Sequence, residues 1–215
     1  MRIAIVGNGD FVPAQKLLKQ YDWIIAADGG LRHCTAMHIL PDWCVGDGDS
    51  INQNQTGPNQ FDRQTDQNTT DLQKALSAAA DQAARQTRQF ATRQPADQTY
   101  SVDLFSVTGA DRLDHNHFAL QTLAQNHVIA TIYTPHQLIR CIRTNHQWPA
   151  AKQLSVSLLP VAASATVELQ GFAWSGSAIS LDAAHPGISN IITTANASIT
   201  IKQGAVLSFE PILWT

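Results

Sequence analysis

The chain has 215 residues, with 14 Lys and Arg against 17 Asp and Glu, which gives a formal net charge of −3. Hydrophobic residues make up 44% of the sequence, enough for a sizeable core, whereas only 14% are charged. The lack of a basic cluster argues against a nucleic-acid-binding surface. No window approaches the ~18 consecutive apolar residues of a membrane-spanning helix. We therefore expect neither nucleic acid nor membrane as a partner.

The cysteines suggest a reducing environment. Cys34, Cys44 and Cys141 are odd in number, widely spaced and contain no CxxC pair, which argues against a disulfide framework and against a cysteine-built zinc site. The apolar run before Gly7 has four residues, too few for the core of a signal peptide. We expect a cytoplasmic protein.

Predicted strands and helices alternate in the first two thirds of the chain. The strands are predicted at 3–6, 23–27, 43–45, 100–107, 128–133 and 137–143, and the helices at 13–20, about 72–87 and 113–125. Thr70 is the predicted N-cap of the second helix, and Asp71 in its first turn suits the helix dipole. This alternation predicts a mostly parallel sheet covered on both faces, with ligands at the carboxyl ends of its strands.

The pattern changes after about Thr144. Short β-rich runs at 154–159, 166–169, 178–181, 188–193, 198–201 and 205–209 are separated by glycines and have no helical period. They predict an antiparallel sandwich or small barrel, with 145–151 as the linker before it. The expected architecture is an α/β chain, with a mostly parallel domain at 1–144 and an all-β sandwich at 145–215.

Two familiar patterns are weak. Gly7-Asn8-Gly9 follows the first strand as in a dinucleotide-binding turn, but Val12 stands where the third glycine should be. His115 and His117 are two residues apart on a predicted helix, so they point in different directions and are poorly placed to share a metal.

Acidic residues form a more informative set. Asp47 and Asp49 lie two residues apart in the sequence GDGDS, and Asp28 and Asp71 lie at two other predicted loop–helix junctions. Mg²⁺ prefers oxygen ligands and is usually held by one or two carboxylates, waters and substrate phosphates. Because Asp, Gly and Ser are also ordinary turn residues, GDGDS alone leaves a metal site and a plain turn equally open.

Cationic and aromatic residues could complete a site. Lys74 shares a helix face with Asp71, and Arg112 precedes Asp114 after a predicted strand. Phosphoryl transfer needs such cations, although they could also be solvated surface charges. In the β-rich part, Trp174 could stack on a heteroaromatic or cationic ligand or fill the core of the sandwich.

Five segments in this order resemble the thiamine pyrophosphokinase (thiamine diphosphokinase) family. They are ADGG at 27–30, PDWCVGDGDS at 41–50, DQNTTDLQKAL at 66–76, GADRLDH at 109–115, and GFAW with GISN at 171–174 and 187–190. The resemblance implies transfer of a diphosphoryl group from ATP to the hydroxyl of thiamine, which yields thiamine diphosphate and AMP. It also implies a Rossmann-like ATP-binding catalytic domain, a thiamine-binding β-sandwich domain, and a homodimer with sites at its interface.

The same resemblance assigns site residues by position. It implies catalytic roles for Asp49, Gln67, Asp71 and Arg112. It implies contacts with ATP for Asp28, Ser50, Lys74, Arg112, Asp114 and His115. It implies Mg²⁺ ligands at Asp47, Asp49 and Asp71, with Asp28 beside the metal and phosphates. It implies thiamine contacts for Gln67, Trp174, Ser189 and Asn190. The general base for the thiamine hydroxyl is either Asp71 or Asp49.

Three departures from the family pattern keep other functions open. Gly48 replaces a large residue, Asp111 adds a negative charge beside the expected phosphate site, and Ala119 replaces a frequent Asn. The alternatives are a non-catalytic module that binds nucleotide or thiamine, and a DxD-dependent nucleotidyltransferase with another acceptor.

Overall fold

A computed structural model of the protein describes residues 1–47, 60–64, 66, 68–89, 100–109, 111–149, 153–212 and 214. These residues form a mixed α/β chain with large sheets, as expected. The chain divides into two compact units. The first unit contains Met1–Thr122, Asn126–Pro135 and Trp214, and the second consists mainly of His136–Leu213 with Leu123–Gln125.

Within the residues that the structure describes, the first unit contains a six-stranded parallel sheet, three helices and most of a fourth. The strands are β1 (Arg2–Val6), β2 (Trp23–Ala27), β3 (Trp43–Gly46), β4 (Gln60–Arg63), β5 (Ser101–Phe105) and β6 (Ile129–Tyr133). The helices are α1 (Gln15–Leu18), α2 (Gly30–Ala36), α3 (Asp71–Gln89) and α4 (Leu113–Gln125). In space the strands run β6-β5-β1-β2-β3-β4, and each neighbouring pair is parallel. The predicted parallel sheet is therefore confirmed, whereas α2 and β4 were not predicted.

Both faces of the central strand are buried. Along β1, Ile3, Ala4, Ile5 and Val6 have no exposed surface, and alternate side chains of a strand point to opposite faces. Helices α2 and α3 both pack on β1 and β2. A Cβ at Gly30 would lie 1.9 Å from the carbonyl oxygen of Val6, so the start of α2 requires glycine. Because the faces of this sheet are buried, a ligand is expected to bind at the carboxyl ends of its strands.

The second unit is built from antiparallel strands. They are β7 (Gln137–Ile142), β8 (Asn145–Pro149), β9 (Ser155–Pro160), β10 (Ser164–Gln170), β11 (Gly176–Asp182), β12 (Gly187–Ile191), β13 (Asn196–Gln203) and β14 (Val206–Pro211). One set pairs in the order β12-β9-β14-β7 and the other in the order β11-β10-β13-β8. A buried cluster that includes Trp148, Val167 and Ile199 forms the core of this unit.

The predicted linker at 145–151 is wrong for the residues that the structure describes. Asn145–Pro149 form β8, which pairs with β13, and Trp148 is buried. The segment looks like a linker because its only large apolar residue lies among polar ones and because proline ends it. Proline is tolerated here because β8 is an edge strand. The proposed boundary after Thr144 stays a prediction.

All three cysteines are unpaired, and Cys34 and Cys44 are buried. Among the helices in the described ranges, none combines the length and the apolar character needed to cross a membrane.

Candidate functional site

The start of α3 is fixed by reciprocal side-chain hydrogen bonds. The Thr70 hydroxyl accepts from the backbone N–H of Gln73 at 3.2 Å, and the Gln73 side-chain oxygen accepts from the backbone N–H of Thr70 at 2.9 Å. This is a capping box, which satisfies two N–H groups that the helix leaves without partners. It confirms Thr70 as the N-cap and places Asp71 on the first helical position.

Lys74 is a buried cation beside Asp71. Its Nζ donates to Asp71 Oδ1 at 3.3 Å and to the carbonyl oxygen of Gln64 at 3.2 Å. Only 3% of the Lys74 side chain is exposed, against 45% for Asp71. A buried ammonium group needs such partners because burial removes its hydration. Lys74 is therefore held with its charge directed at the start of α3, and it is not a solvated surface lysine.

Asp28 packs against Gly46 at the end of β3. A Cβ at Gly46 would lie 2.9 Å from Asp28 Oδ1, so glycine allows the Asp28 carboxylate to pack against the end of β3, one residue before Asp47. Asp28 itself is buried and has a positive φ of 41°. Burial raises the pKa of the nearby Cys44 thiol to about 12, with further contributions from the negative charges of Asp28 and Asp71. The carboxylates of Asp28 and Asp71 thus both act electrostatically on the Cys44 thiol.

A cavity of about 570 Å³ lies in the first unit, at the carboxyl ends of its strands. Five of its lining residues were predicted as site residues: Asp47, Asp71, Lys74, Asp114 and His115. The others are Asn68, Thr69, Thr70, Leu72, Val107 and Phe118. The lining thus comes from three of the five segments identified in the sequence, together with residues near them. Negative and positive side chains share one concave surface, which suits a ligand with a metal-bound anionic tail.

Arg112, Asp114 and His115 form an exposed polar cluster at the start of α4. Arg112 donates to both Asp114 oxygens, from Nε at 3.1 Å and from an Nη at 2.9 Å, and the same Nη contacts the His115 ring. The hydrogen bonds from Arg112 hold the pKa of Asp114 well below its ordinary value. Arg112 itself is not among the cavity residues, although Asp114 and His115 are. Because the pair is exposed, an incoming anion can compete for the guanidinium at low cost.

The glycines after β1 have a structural reason. A Cβ at Gly9 would lie 2.2 Å from the carbonyl oxygen of Thr108, and Gly9 N donates to the Ser106 carbonyl at 2.6 Å. The Gly7-Asn8-Gly9 turn is therefore packed closely against the segment after β5. This close approach accounts for the glycines without a dinucleotide.

Asn116 is a residue that the sequence reasoning did not identify. Its side chain donates to the Gly109 carbonyl and accepts from the Gly109 N–H, both at 2.8 Å. An asparagine in the first turns of a helix usually gives no sequence signal beyond capping. Pairing with a residue seven positions earlier is visible only in the structure.

The second unit presents an exposed tryptophan. The Trp174 side chain is on the surface, with 63% of the residue exposed, so the alternative in which it fills the core is wrong. Buried Asn190 fixes its backbone, accepting from Trp174 N at 3.1 Å and donating to Trp174 O at 3.0 Å. Ser189 has a positive φ of 57°, and its N–H donates to Ser157 Oγ at 3.0 Å. Trp174 and Asn190 are thus adjacent, but the amide of Asn190 is engaged with the backbone.

The carboxylates of the first unit supply part of what a magnesium ion needs. Asp47 and Asp71 bring oxygen donors to one cavity, and Mg²⁺ commonly uses one or two carboxylates together with waters and phosphates. Within the described ranges, no three His, Cys, Asp or Glu side chains form a metal-binding group. Asp28, Asp47 and Asp71 are therefore not a closed set of ligands. Asp49, Ser50 and Gln67, which were predicted as site residues, lie outside the described residues.

Comparison with known proteins identifies the family. The model of the thiamin pyrophosphokinase catalytic domain matches residues 14–133. No curated protein matches the chain. Among solved structures, the fold is similar to that of thiamine pyrophosphokinase from Bacillus subtilis, with 18% identity, all of both chains covered and a TM-score of 0.78. It is also similar to the Geobacillus thermodenitrificans enzyme, with 21% identity, 100% of this chain and 99% of that chain covered, and a TM-score of 0.77.

A third similar structure is thiamin pyrophosphokinase from Candida albicans, with 14% identity, 98% of this chain and 89% of that chain covered, and a TM-score of 0.79. At these sequence identities the solved structures establish only the fold. The family model, which describes the catalytic domain, matches more than half of the chain and establishes the family. The chain therefore belongs to the thiamin pyrophosphokinase family, whose members transfer a diphosphoryl group from ATP to thiamine.

Proposed function

We propose that the protein carries out this transfer in the cavity of its first unit, as an Mg²⁺-dependent ATP:thiamine diphosphotransferase. The single observation that supports this most strongly is the convergence of Asp47, Asp71 and Lys74 on one cavity. Asp47 directly follows β3, and Asp71 and Lys74 lie in the first turn of the long helix α3. A buried lysine paired with Asp71, in a cavity that Asp47 also lines, is suited to a triphosphate and its metal.

Asp47 and Asp71 would hold the metal, together with Asp49 and with Asp28 nearby. Magnesium, when bound, supplies charge neutralisation at the phosphate oxygens. Lys74 would contribute a fixed positive charge, since the Gln64 carbonyl and Asp71 already orient its ammonium group. Arg112 would bind phosphate by exchanging part of its contact with Asp114, and Ser50, Asp114 and His115 would complete the ATP site.

The chemical step is attack of the thiamine hydroxyl on the β-phosphorus, with AMP as the leaving group. Positioning and charge stabilisation account for most of the rate enhancement in such transfers. We propose Gln67 near the transferred group and Trp174, Ser189 and Asn190 as the thiamine site. Asp71 or Asp49, whichever is free of metal, would accept the hydroxyl proton, because a metal-bound carboxylate is a poor base.

We further propose the domain roles and the setting of the enzyme. A Rossmann-like domain at 1–144 would bind ATP, and a β-sandwich at 145–215 would bind thiamine. The protein would be a cytoplasmic homodimer with sites at the subunit interface. The family membership and the parallel strand pairing of the first unit support the ATP-binding domain, and the antiparallel strand pairing of the second unit supports the β-sandwich.

The test is the identity of the nucleotide product. Purified protein incubated with ATP, Mg²⁺ and thiamine should form AMP and thiamine diphosphate in equal amounts, and omission of thiamine should stop AMP release. ADP as the product would reject diphosphoryl transfer, and pyrophosphate would indicate nucleotidyl transfer instead.

Asp71→Asn should remove this activity while the far-UV circular dichroism spectrum and the melting profile stay near wild type. The fold should tolerate the change because Asp71 is half-exposed and the asparagine side-chain oxygen can still accept a hydrogen bond from Lys74.

A further inference from the structure

Asn116 closes a hydrogen-bonded ring with a single residue of the segment after β5. Its carboxamide oxygen accepts from Gly109 N–H and its amide nitrogen donates to Gly109 C=O, both at 2.8 Å. Its own backbone N–H continues α4 by donating to the Arg112 carbonyl at 3.0 Å. The Asn116 side chain therefore ties the first turns of α4 to the backbone of Gly109.

The segment that Asn116 holds is also fastened on its other side. Ser106 and Thr108 accept through their carbonyls from Gly9 N and Asp10 N, at 2.6 and 2.8 Å. A Cβ at Gly109 would lie 3.3 Å from Asp10 Oδ1, so this segment has little room beside the loop after β1. Residues 106–109 are thus held between the loop after β1 and Asn116.

Residues near Gly109 and residues near Asn116 both line the cavity. Val107, two residues before Gly109, lines it, and so do Asp114 and His115, which lie two residues and one residue before Asn116. A change in the distance between Gly109 and α4 would therefore move the cavity wall formed by Val107 relative to the one formed by Asp114 and His115. Arg112, whose N–H donates to Gly109 O at 3.4 Å, would move with it.

Only a carboxamide of this length provides one donor and one acceptor that match a peptide group. Aspartate has the same shape but offers acceptors alone, so it keeps the bond from Gly109 N–H and loses the bond to Gly109 C=O. It also brings a carboxylate against that carbonyl oxygen. The isosteric change Asn116→Asp is therefore a sharp probe of the ring.

We infer that Asn116 is a positioning residue for the ATP half of the reaction, holding the segment after β5 so that Arg112, Asp114 and His115 face the nucleotide. The inference rests on the proposed function, because it takes ATP as the ligand of the cavity. Asn116 touches neither substrate in this account, so its effect appears through the geometry of the other residues.

The experiment compares Asn116→Asp and Asn116→Ala with Asn126→Asp. Asn126 lies at the far end of the same helix and uses only its side-chain oxygen, which accepts from Val128 N at 3.2 Å, so aspartate can replace it. We expect both Asn116 variants to raise KM for ATP about tenfold or to lower kcat/KM for ATP by that factor. KM for thiamine should stay within about twofold, and Asn126→Asp should behave as the wild type.

Two further readouts separate the possible failures. Hydrogen exchange at the Gly109 amide should be faster in Asn116→Ala than in the wild type, which tests the ring without any assay of activity. The affinity for a non-hydrolysable ATP analogue with Mg²⁺, measured by calorimetry, should be lower in both Asn116 variants than in the wild type. If the wild-type protein binds the analogue but forms no AMP from ATP and thiamine, the proposed function is rejected. The comparison of analogue binding then decides the role of Asn116. Unchanged KM for ATP and unchanged analogue binding in well-folded variants would overturn the inference, as would equal losses for ATP and thiamine.

Discussion

Lys74 shows how one residue can depend on burial for its role. Its ammonium group is nearly inaccessible, yet it keeps two oxygen partners, the Gln64 carbonyl and Asp71. Removing the partners of a buried charge lowers the free energy of unfolding strongly. Replacing the charged side chain itself by an apolar one of similar volume often does not. Stability and function can therefore be separated at this position.

Lys74→Met should keep the fold and lose activity. We expect the melting temperature to change by no more than about 2–4 °C, while kcat/KM for ATP falls by about ten- to a hundredfold, as for loss of a charged hydrogen bond. Melting curves and steady-state kinetics measure the two effects. Lys202→Met, which breaks the exposed ion pair with Glu168 in the second unit, is the control and should change neither. Activity close to wild type in Lys74→Met would contradict the role of this charge.

Trp174 presents the opposite case, a large aromatic residue held on the surface. Asn190 fixes its backbone while 63% of the residue stays exposed. Because its ring contributes little to the core, a substitution there tests ligand binding directly. The sequence alone did not separate these two roles.

Trp174→Ala should raise KM for thiamine by up to about tenfold, the equivalent of an aromatic contact. KM for ATP should stay within about twofold, and the melting temperature should remain near wild type. Trp174→Phe, which keeps an aromatic face, should retain most of the affinity. Similar losses for ATP and thiamine, or marked destabilisation, would show that Trp174 serves the fold and does not bind thiamine.

At the scale of elements, the start of α3 couples stability to the site. The capping box of Thr70 and Gln73 determines where the helix begins, and Asp71 and Lys74 occupy its first turn. The helix is anchored by Ala75, Ala78, Ala79 and Ala83, which are all buried. Small side chains allow close packing on β2 and β3.

Thr70→Ala should destabilise the protein by about 1 kcal/mol, the usual cost of losing an N-cap hydroxyl. For a chain of this size, that corresponds to a fall of about 2–4 °C in melting temperature. Thr70→Ser keeps the hydroxyl and should melt close to the wild type. An alanine variant as stable as the serine variant would mean that the hydroxyl is unimportant for the start of α3.

At the scale of the whole molecule, each unit contains a histidine that folding keeps neutral. Burial lowers the pKa of His33 in the first unit from its ordinary value of 6.5, and nearby Arg32 also lowers it, while the Gly9 carbonyl and Asp10 oppose the shift. Burial and the charge of Arg140 lower the pKa of His146 in the second unit, against the opposing charge of Glu210. In both, unfolding makes the ring easier to protonate.

The protein should therefore lose stability as the pH falls below about 6.5, because the unfolded chain then binds more protons than the folded one. Melting temperatures measured between about pH 7.5 and pH 5.5 should decrease, and the decrease should be smaller in His33→Gln. Glutamine can still donate to the Gly9 carbonyl, as His33 Nε2 can at 2.8 Å. His127→Gln, a change at an exposed ring, is the control. An identical pH dependence in His33→Gln and the wild type would exclude His33 as a source.

Sequence reasoning succeeded where the physical signal is local. Buried strands such as β1 and β2 are short apolar runs ended by glycine, and Thr70 shows its cap by its position before a helical pattern. It failed at α2 and β8. Helix α2 has only seven residues, and it begins at Gly30 directly after Gly29. Strand β8 has a single buried aromatic residue among polar neighbours. In these segments, packing against neighbouring strands outweighs weak local preference.

The amino-acid order alone determined the family of the protein, the alternation of strands and helices, and the carboxylates and cations of its motifs, because each of these is encoded in neighbouring residues. Only the tertiary structure decided that Lys74 is buried, that Trp174 is exposed, and that Asn116 and Asn190 bind backbone groups distant in sequence. These properties depend on which segments meet in space, and burial and long-range hydrogen bonding are set by that packing.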